Sequence, residues 1–495
     1  MLKQITSFIL AVFMLFLWSC SVREEIFSDL TPENFYRTES DFEKATLGMY
    51  NAMNRSNDIW DRDMFTLVQM PSRYFVSRVA ARKAFSNFTF GNTDAALDNT
   101  WISFYRTINR ANAIIDRIVN IQMDAAKKDQ YIGEAKFIRA LIYFNLVRLW
   151  GDVPLILKET TDLSNHQPFR SRSALVYEQV INDLIEAEGK LPDAYPDNTK
   201  GRPSAGAAKA LLGKVYLTMS WFPLKDEAKL LLARNKLKEV IDSAAAYGYG
   251  IGGSYKDVFD VNKEDNQDLI YVIKYMNMVG QGSALAFLSL PLNSNLITAG
   301  GQYHYGTTRA FYNLFAASDL RRSVTCLFSY TTMAGGTANY GGPANYRDPN
   351  GIALGKYVDG PPGKAPSNVA AANDLPLLRF ADVLLMFAEA DNELNGPTEA
   401  AYTQINRLRT RANVGALSNL TQTTFREAIR RERLFELTGE LHEFFDIQRW
   451  GTLKEELAAD PEAILANTVY KPEFETYPYP ITEINVNPNI LLPPQ

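Results

Sequence analysis

The sequence predicts a mostly α-helical protein, a helical-repeat scaffold carrying an irregular, loop-rich subdomain and a few short strands. Three observations predict it. Apolar residues recur at helical spacing through the first half and the last quarter of the chain, as at Ala45, Met49 and Met53, or at Ala401, Ile405, Leu408 and Ala412. Two helical stretches, 377–394 and 398–413, are parted only by Asn395-Gly396-Pro397, the tight turn of an antiparallel helix pair. Such a pair is close in length to the roughly 34 residues of a tetratricopeptide unit, although no consensus repeats along the chain. Between the helical regions, residues 247–365 change texture and become rich in Gly, Tyr, Asn and Ser.

The elements follow in order. Thr31-Pro32-Glu33 is a helix start, and Ser40-Asp41-Phe42-Glu43 has the S-x-x-E form of a capping box. Helices are expected over 101–119 and 133–150. The second is apolar almost all round from Phe137 to Trp150, so it is buried on most faces, and it stops at Gly151. Further helices cover 174–189, 205–221 and 225–246. The run 269–273 is β-branched and bounded by polar residues, a strand. The Gly/Pro-rich stretch 330–366 is loop. After the 377–413 pair, Thr424-Phe425-Arg426-Glu427 reads as another capping box. It opens a helix whose alternating Arg and Glu over 426–436 read as helix-face pairing with some buried Arg–carboxylate contacts. From about 473 the chain is extended and Pro-rich.

Composition excludes several functions. With 51 Lys+Arg against 56 Asp+Glu in 495 residues, the net charge of −5 does not suit a general nucleic-acid binder. Cys20 and Cys326 are too few for a disulfide scaffold or a Cys-based zinc site. His166, His304 and His442 lie in no metal-ligand spacing, so no His-rich metal centre is expected, although carboxylates and carbonyls could still hold a hard cation; no cofactor is expected. No G-x-S-x-G elbow, P-loop, GxGxxG opening a helix or HExxH occurs, and the reading is a binder rather than an enzyme. A spatially assembled carboxylate pair, as in a secreted glycan-degrading enzyme, stays open as the alternative.

The first nineteen residues read as a signal peptide. Lys3 precedes an apolar run of 11 residues, Phe8 to Trp18, about half of what spans a bilayer. Leu17-Trp18-Ser19-Cys20 resembles a bacterial lipoprotein cleavage box, which makes Cys20 the lipidation site and 20–30 a tether. Cys326 is then the single thiol of the body.

Taken together, these blocks resemble the SusD/RagB family of outer-membrane lipoproteins of Bacteroidetes. The resemblance runs from the lipoprotein Cys and TPENFYRTESDFEKATLGMYNAM through KFIRALIYFNLVRLWGDVPL and LPLLRFADVLLMFAEADNELNG to RRERLFELTGELHEFFDIQRWG and YPYPITEINVNPN. It implies tetratricopeptide-like helix pairs in one compact body, with helical regions at 31–246 and 376–495 around a variable subdomain at 247–375. It also implies a cell-surface protein that captures a glycan, or in some members a peptide. Such a protein passes its ligand to a SusC-like TonB-dependent transporter. The family places its ligand on loops of the exposed face, here within 54–100 and 280–350. Aromatic rings stack on sugar C–H faces, and polar side chains bond the hydroxyls. The candidates are Trp60, Asp61, Arg62, Tyr74 and Arg78 in the first region. In the second they are Tyr303, Tyr305, Asn339, Tyr340, Tyr346 and Arg347, with His304 and Asn345 beside them. Trp101, Trp150, Trp221 and Trp450 fall in helices and are expected in the core.

Overall fold

A computed structural model describes residues 35–55, 59–162, 167–196, 201–278, 280–297, 300–339, 351–358 and 371–495. The expected helix start at Thr31 and the tether lie outside them.

The N-terminal part is helical: α1 (Glu39–Arg55), a π-helical turn (Ile59–Asp63), α2 (Met64–Gln69), α3 (Ala80–Ser86), α4 (Ala95–Arg117), α5 (Ala125–Trp150), α6 (Ser173–Lys190), α7 (Ala205–Ser220) and α8 (Ala228–Asp242). The C-terminal part adds α12 (Phe380–Asn395), α13 (Glu399–Arg411), α14 (Gln422–Leu437), α15 (Glu443–Trp450) and α16 (Leu453–Ala459). Neighbours pack side by side in succession, α4 on α5, α5 on α6, α6 on α7, α7 on α8, α8 on α12 and α12 on α13. This is the mostly helical fold of stacked pairs that the periodicity predicts.

Helix α5 is the spine. Asp124 caps it by accepting from the Lys127 N–H at 2.9 Å. Nearly every residue from Phe137 to Trp150 is buried. Gly151 ends the helix at φ +72°, a left-handed value that a residue without Cβ adopts without strain.

Between the helical parts lie α9 (Leu285–Ser289), α10 (Arg309–Leu314) and α11 (Arg321–Thr325), with short strands. Strands β1 (Phe75–Val76), β3 (Gly306–Thr308), β7 (Gly351–Leu354) and β4 (Cys326–Leu327) form one antiparallel sheet in that order. Strand β2 (Leu269–Ile273) pairs with β8 (Leu375–Arg379), and β5 (Ser329–Thr331) with β6 (Thr337–Asn339). Cys326 is buried, and burial pushes its thiol up to about 12.

Several boundaries differ from expectation: the helices expected from 101 and 133 begin earlier, at Ala95 and Ala125, the one expected over 225–246 is shorter, and four further differences concern caps and chain ends. Thr38, not Ser40, caps α1: its Oγ1 accepts from the Asp41 N–H, and the Asp41 carboxylate accepts from the Thr38 N–H at 2.9 Å. Thr421, not Thr424, caps α14, with Thr424 supplying the reciprocal bond three residues on. Helix α12 starts at Phe380 because Leu377 and Leu378 belong to β8, and a continuous apolar run carries no period to tell strand from helix. The C-terminal segment forms short turns and α18 (Ile481–Val486), after α17 (Pro461–Leu465), rather than staying extended.

The Arg/Glu run divides by face. Arg430 and Glu427 pair on the helix surface at 3.5 Å. Its inner members join a buried network. Arg379 reaches Asp268 (2.6 Å), Glu436 (3.0 Å) and Glu440 (2.6 Å). Arg411 bonds Asp268 and Glu436, Arg321 bonds Asp319 and Glu432, and Lys356 bonds Glu440. The network stitches α12, α13 and α14 to the strand-bearing subdomain.

Candidate functional site

Strand β1 brings the two loop regions together. Phe75 opposes Thr307 and Val76 opposes Gly306, so residues after 76 run beside residues before 306. The segment 302–305 alternates. Tyr303 and Tyr305 are fully buried, while Gln302 and His304 stay half-exposed on the opposite side. Tyr303, at φ +47°, fills the space over two strands, and a Cβ on Gly306 or Gly351 would collide with its hydroxyl.

Arg78 locks this junction. Its Nε donates to the Gln302 carbonyl at 2.5 Å and its Nη2 to Gln302 Oε1 at 3.0 Å. The Arg82 guanidinium lies over the Tyr305 ring, 5.0 Å from its centroid. The Tyr305 hydroxyl donates to the Arg62 carbonyl at 2.8 Å. Burial pushes the His304 imidazole down to about 4, aided by the positive charges of Arg82, Arg78 and Arg62. The ring is therefore neutral at pH 7, and its buried Nδ1 has no hydrogen-bond partner among the described residues. The face offers guanidinium donors, an amide and a neutral imidazole, a set suited to hydroxyl- or oxyanion-bearing ligands.

The sequence candidates separate accordingly. Arg62 and Arg78 both lie close enough to His304 at this face to act on its charge. Asn339 is exposed at the end of the β5–β6 hairpin, opposite Ser329. Trp60, Asp61, Tyr303 and Tyr305 need correction as ligand contacts, since each is at most 1% exposed. Trp60 packs 5.7 Å from the Phe104 ring and donates Nε1 to the Met53 carbonyl at 3.0 Å. Asp61 accepts from the Ala284 N–H at 2.5 Å, holding the π-turn against α9. A large aromatic after an irregular stretch reads the same in sequence whether it faces in or out. Cys20, Tyr340, Asn345, Tyr346 and Arg347 lie outside the described residues. Trp101 and Trp150 are core, as expected, whereas Trp221 and Trp450 are only half-buried.

Tyr74 lies elsewhere, on a groove of about 800 Å³ along α14, α15 and α16. The groove has volume, but its aromatic rings are engaged. Arg73 lies over Tyr74 at 4.8 Å while Phe311 packs 5.5 Å from it, and Arg430 and Arg449 lie over Trp450 at 4.8 and 4.9 Å.

Gln302 and Arg82 were not among the candidates. Arg82 had a signal: residues 64–93 contain Arg73, Arg78, Arg82 and Lys83 and no Asp or Glu. Gln302 had none, because its role depends on strand pairing. Among the described residues, no group of three or more His, Cys, Asp or Glu could hold a metal ion, and no helix is long and apolar enough to cross a membrane.

Known proteins share this architecture. A family model described as the SusD family matches residues 247–493, and one described as "Starch-binding associating with outer membrane" matches residues 27–217. SusD-like protein P25 of Formosa agariphila is 28% identical across 99% of this chain and 98% of its own length. A solved structure described as a laminarin-binding SusD-like protein superposes with TM-score 0.77 at 26% identity, covering 92% of this chain and 99% of that one. Another, described as holding a xylogluco-oligosaccharide, superposes with TM-score 0.76 at 25% identity, covering 92% and 98%.

Proposed function

We infer the function from one premise: the chain belongs to the SusD/RagB family. It is proposed to be a non-enzymatic lipoprotein of the outer membrane, anchored through Cys20 and facing the cell exterior. There it binds an oligosaccharide or polysaccharide and delivers it to a SusC-like TonB-dependent transporter. Residues 31–246 and 376–495 form the scaffold in this reading, and 247–375 the recognition subdomain. The observation that carries the reading is the junction at β1 and β3, where Arg62, Arg78, Gln302 and His304 gather into one half-exposed polar face. Relatives described as laminarin-binding or as holding a xylogluco-oligosaccharide support glycan over peptide as the ligand class.

A capture protein needs only modest affinity, on the order of micromolar to millimolar, or about −8 to −4 kcal/mol. The test is incubation of the purified protein with a panel of polysaccharides, followed by affinity electrophoresis and product analysis. Retardation without new reducing ends is the expected result, and turnover would make it an enzyme. Cys20→Ala should release the protein from the membrane fraction, and the native protein should co-purify with a large outer-membrane transporter.

A further inference from the structure

The chain is net negative, yet the segments that build the face are almost free of acids. Residues 64–93 hold four cations and no carboxylate, and residues 269–318 hold Lys274 and Arg309 and no carboxylate. Arg73 and Lys274 have acidic partners, Glu456 in one case and Glu264 with Asp374 in the other. Arg78 and Arg82 form no ion pair among the described residues, and both stay half-exposed beside Gln302 and His304. The neighbouring carboxylate, Asp63, is buried and accepts from Asn99 at 3.1 Å.

We propose that this face selects an acidic glycan, one carrying carboxylate or sulfate groups, with Arg78 and Arg82 as the anion-binding side chains and His304 as a hydrogen-bonding neighbour. This rests on the glycan-binding reading above and narrows it. A neutral glycan needs donors and acceptors in balance, and here cationic donors prevail. Two half-exposed guanidinium groups near one imidazole, neither in an ion pair among the described residues, leave N–H donors that a ligand anion can take up. A guanidinium meets a carboxylate or sulfate with two parallel N–H···O bonds.

The experiment is affinity electrophoresis and calorimetry of the purified protein with polygalacturonate, a sulfated galactan, laminarin and poly-L-glutamate, at about 50 and 500 mM NaCl. Binding to the uronan or the sulfated galactan that weakens at the higher salt is expected, and which of the two binds names the acid group. Arg82→Gln should weaken that binding roughly 10-fold with an unchanged melting temperature, the worth of one charge-assisted hydrogen bond, and adding Arg78→Gln, which also removes the two bonds to Gln302, should weaken it further and lower the melting temperature. Arg78→Lys/Arg82→Lys, which keeps the charge, should recover part of it. Laminarin binding indifferent to salt and to the Gln variant would overturn the acidic preference and leave glycan capture standing. Equal binding of poly-L-glutamate would overturn it as non-specific polyanion attraction. Failure of every polysaccharide to bind would remove both readings.

Discussion

Two arginine-rich regions of this protein use the same side chain to opposite ends. In the network behind α12 and α14, the side chains of Arg321, Arg379 and Arg411 are at most 4% exposed, and each meets at least two carboxylates. At the β1–β3 junction, Arg78 and Arg82 are half-exposed and pair with no carboxylate among the described residues. A buried charge is tolerable only when compensated, so full pairing marks the first region as structure. A partly exposed cation can remain uncompensated because water still reaches it, and it keeps its donors for a ligand. Pairing therefore separates scaffold from site more sharply than residue type does.

The contrast can be broken at several points. Arg379→Ala should have the largest effect, since it takes one cation from each of Asp268, Glu436 and Glu440 in the interior and leaves Arg411 and Lys356 to compensate all three. A loss of about 5 kcal/mol in denaturant unfolding is expected. Trp60→Ala should cost about 3–4 kcal/mol, because it empties a core site. A melting curve unchanged by this substitution would return Trp60 to the ligand face. Acid comes next. Burial alone would raise the Glu436 carboxyl, but Arg411, Arg379 and Arg321 hold it at about 2, and Arg433 and Arg449 do the same for Asp446. Both values are depressed, so the stability they add is full above their ordinary values of 4.5 and 3.8 and is lost as pH falls through 2. Glu443 runs the other way, since burial pushes it up to about 8. Keeping it protonated grows costly above its ordinary 4.5, so Glu443→Gln should gain on the wild type as pH rises from 5 to 8. The gain is on the order of 1–2 kcal/mol by differential melting. Smallest of all, Arg82→Gln should stay within about 0.5 kcal/mol of the wild type in stability. A large loss there would mean that Arg82 belongs with the scaffold.

Much of the helical frame was legible because periodicity and caps are local. The α5 spine, its stop at Gly151 and the α12–α13 pair could be read residue by residue. Cap positions slipped where two hydroxyl residues competed within one turn, as at Thr38 and Ser40. Of the site, Arg62 and Arg78 were legible as polar residues in a loop-rich region. Whether Trp60 or Tyr305 faced inward was not: Trp60 packs on Phe104 of a separate helix, and Tyr305 is held by Arg62, Thr66 and Arg82, more than 200 positions away. The segment 302–305 shows the limit. Its alternation is visible in the letters, but which side is wet is set by β1.

The β1–β3 pairing also fixes the order in which the protein is completed. Arg78 and Gln302 are 224 positions apart, so the junction closes only after a very long loop has been drawn in, whereas the helix pairs assemble from near neighbours. The binding face is then expected to form after the helix pairs that assemble from near neighbours. Ligand binding that lags the recovery of helical signal on refolding would time that closure directly.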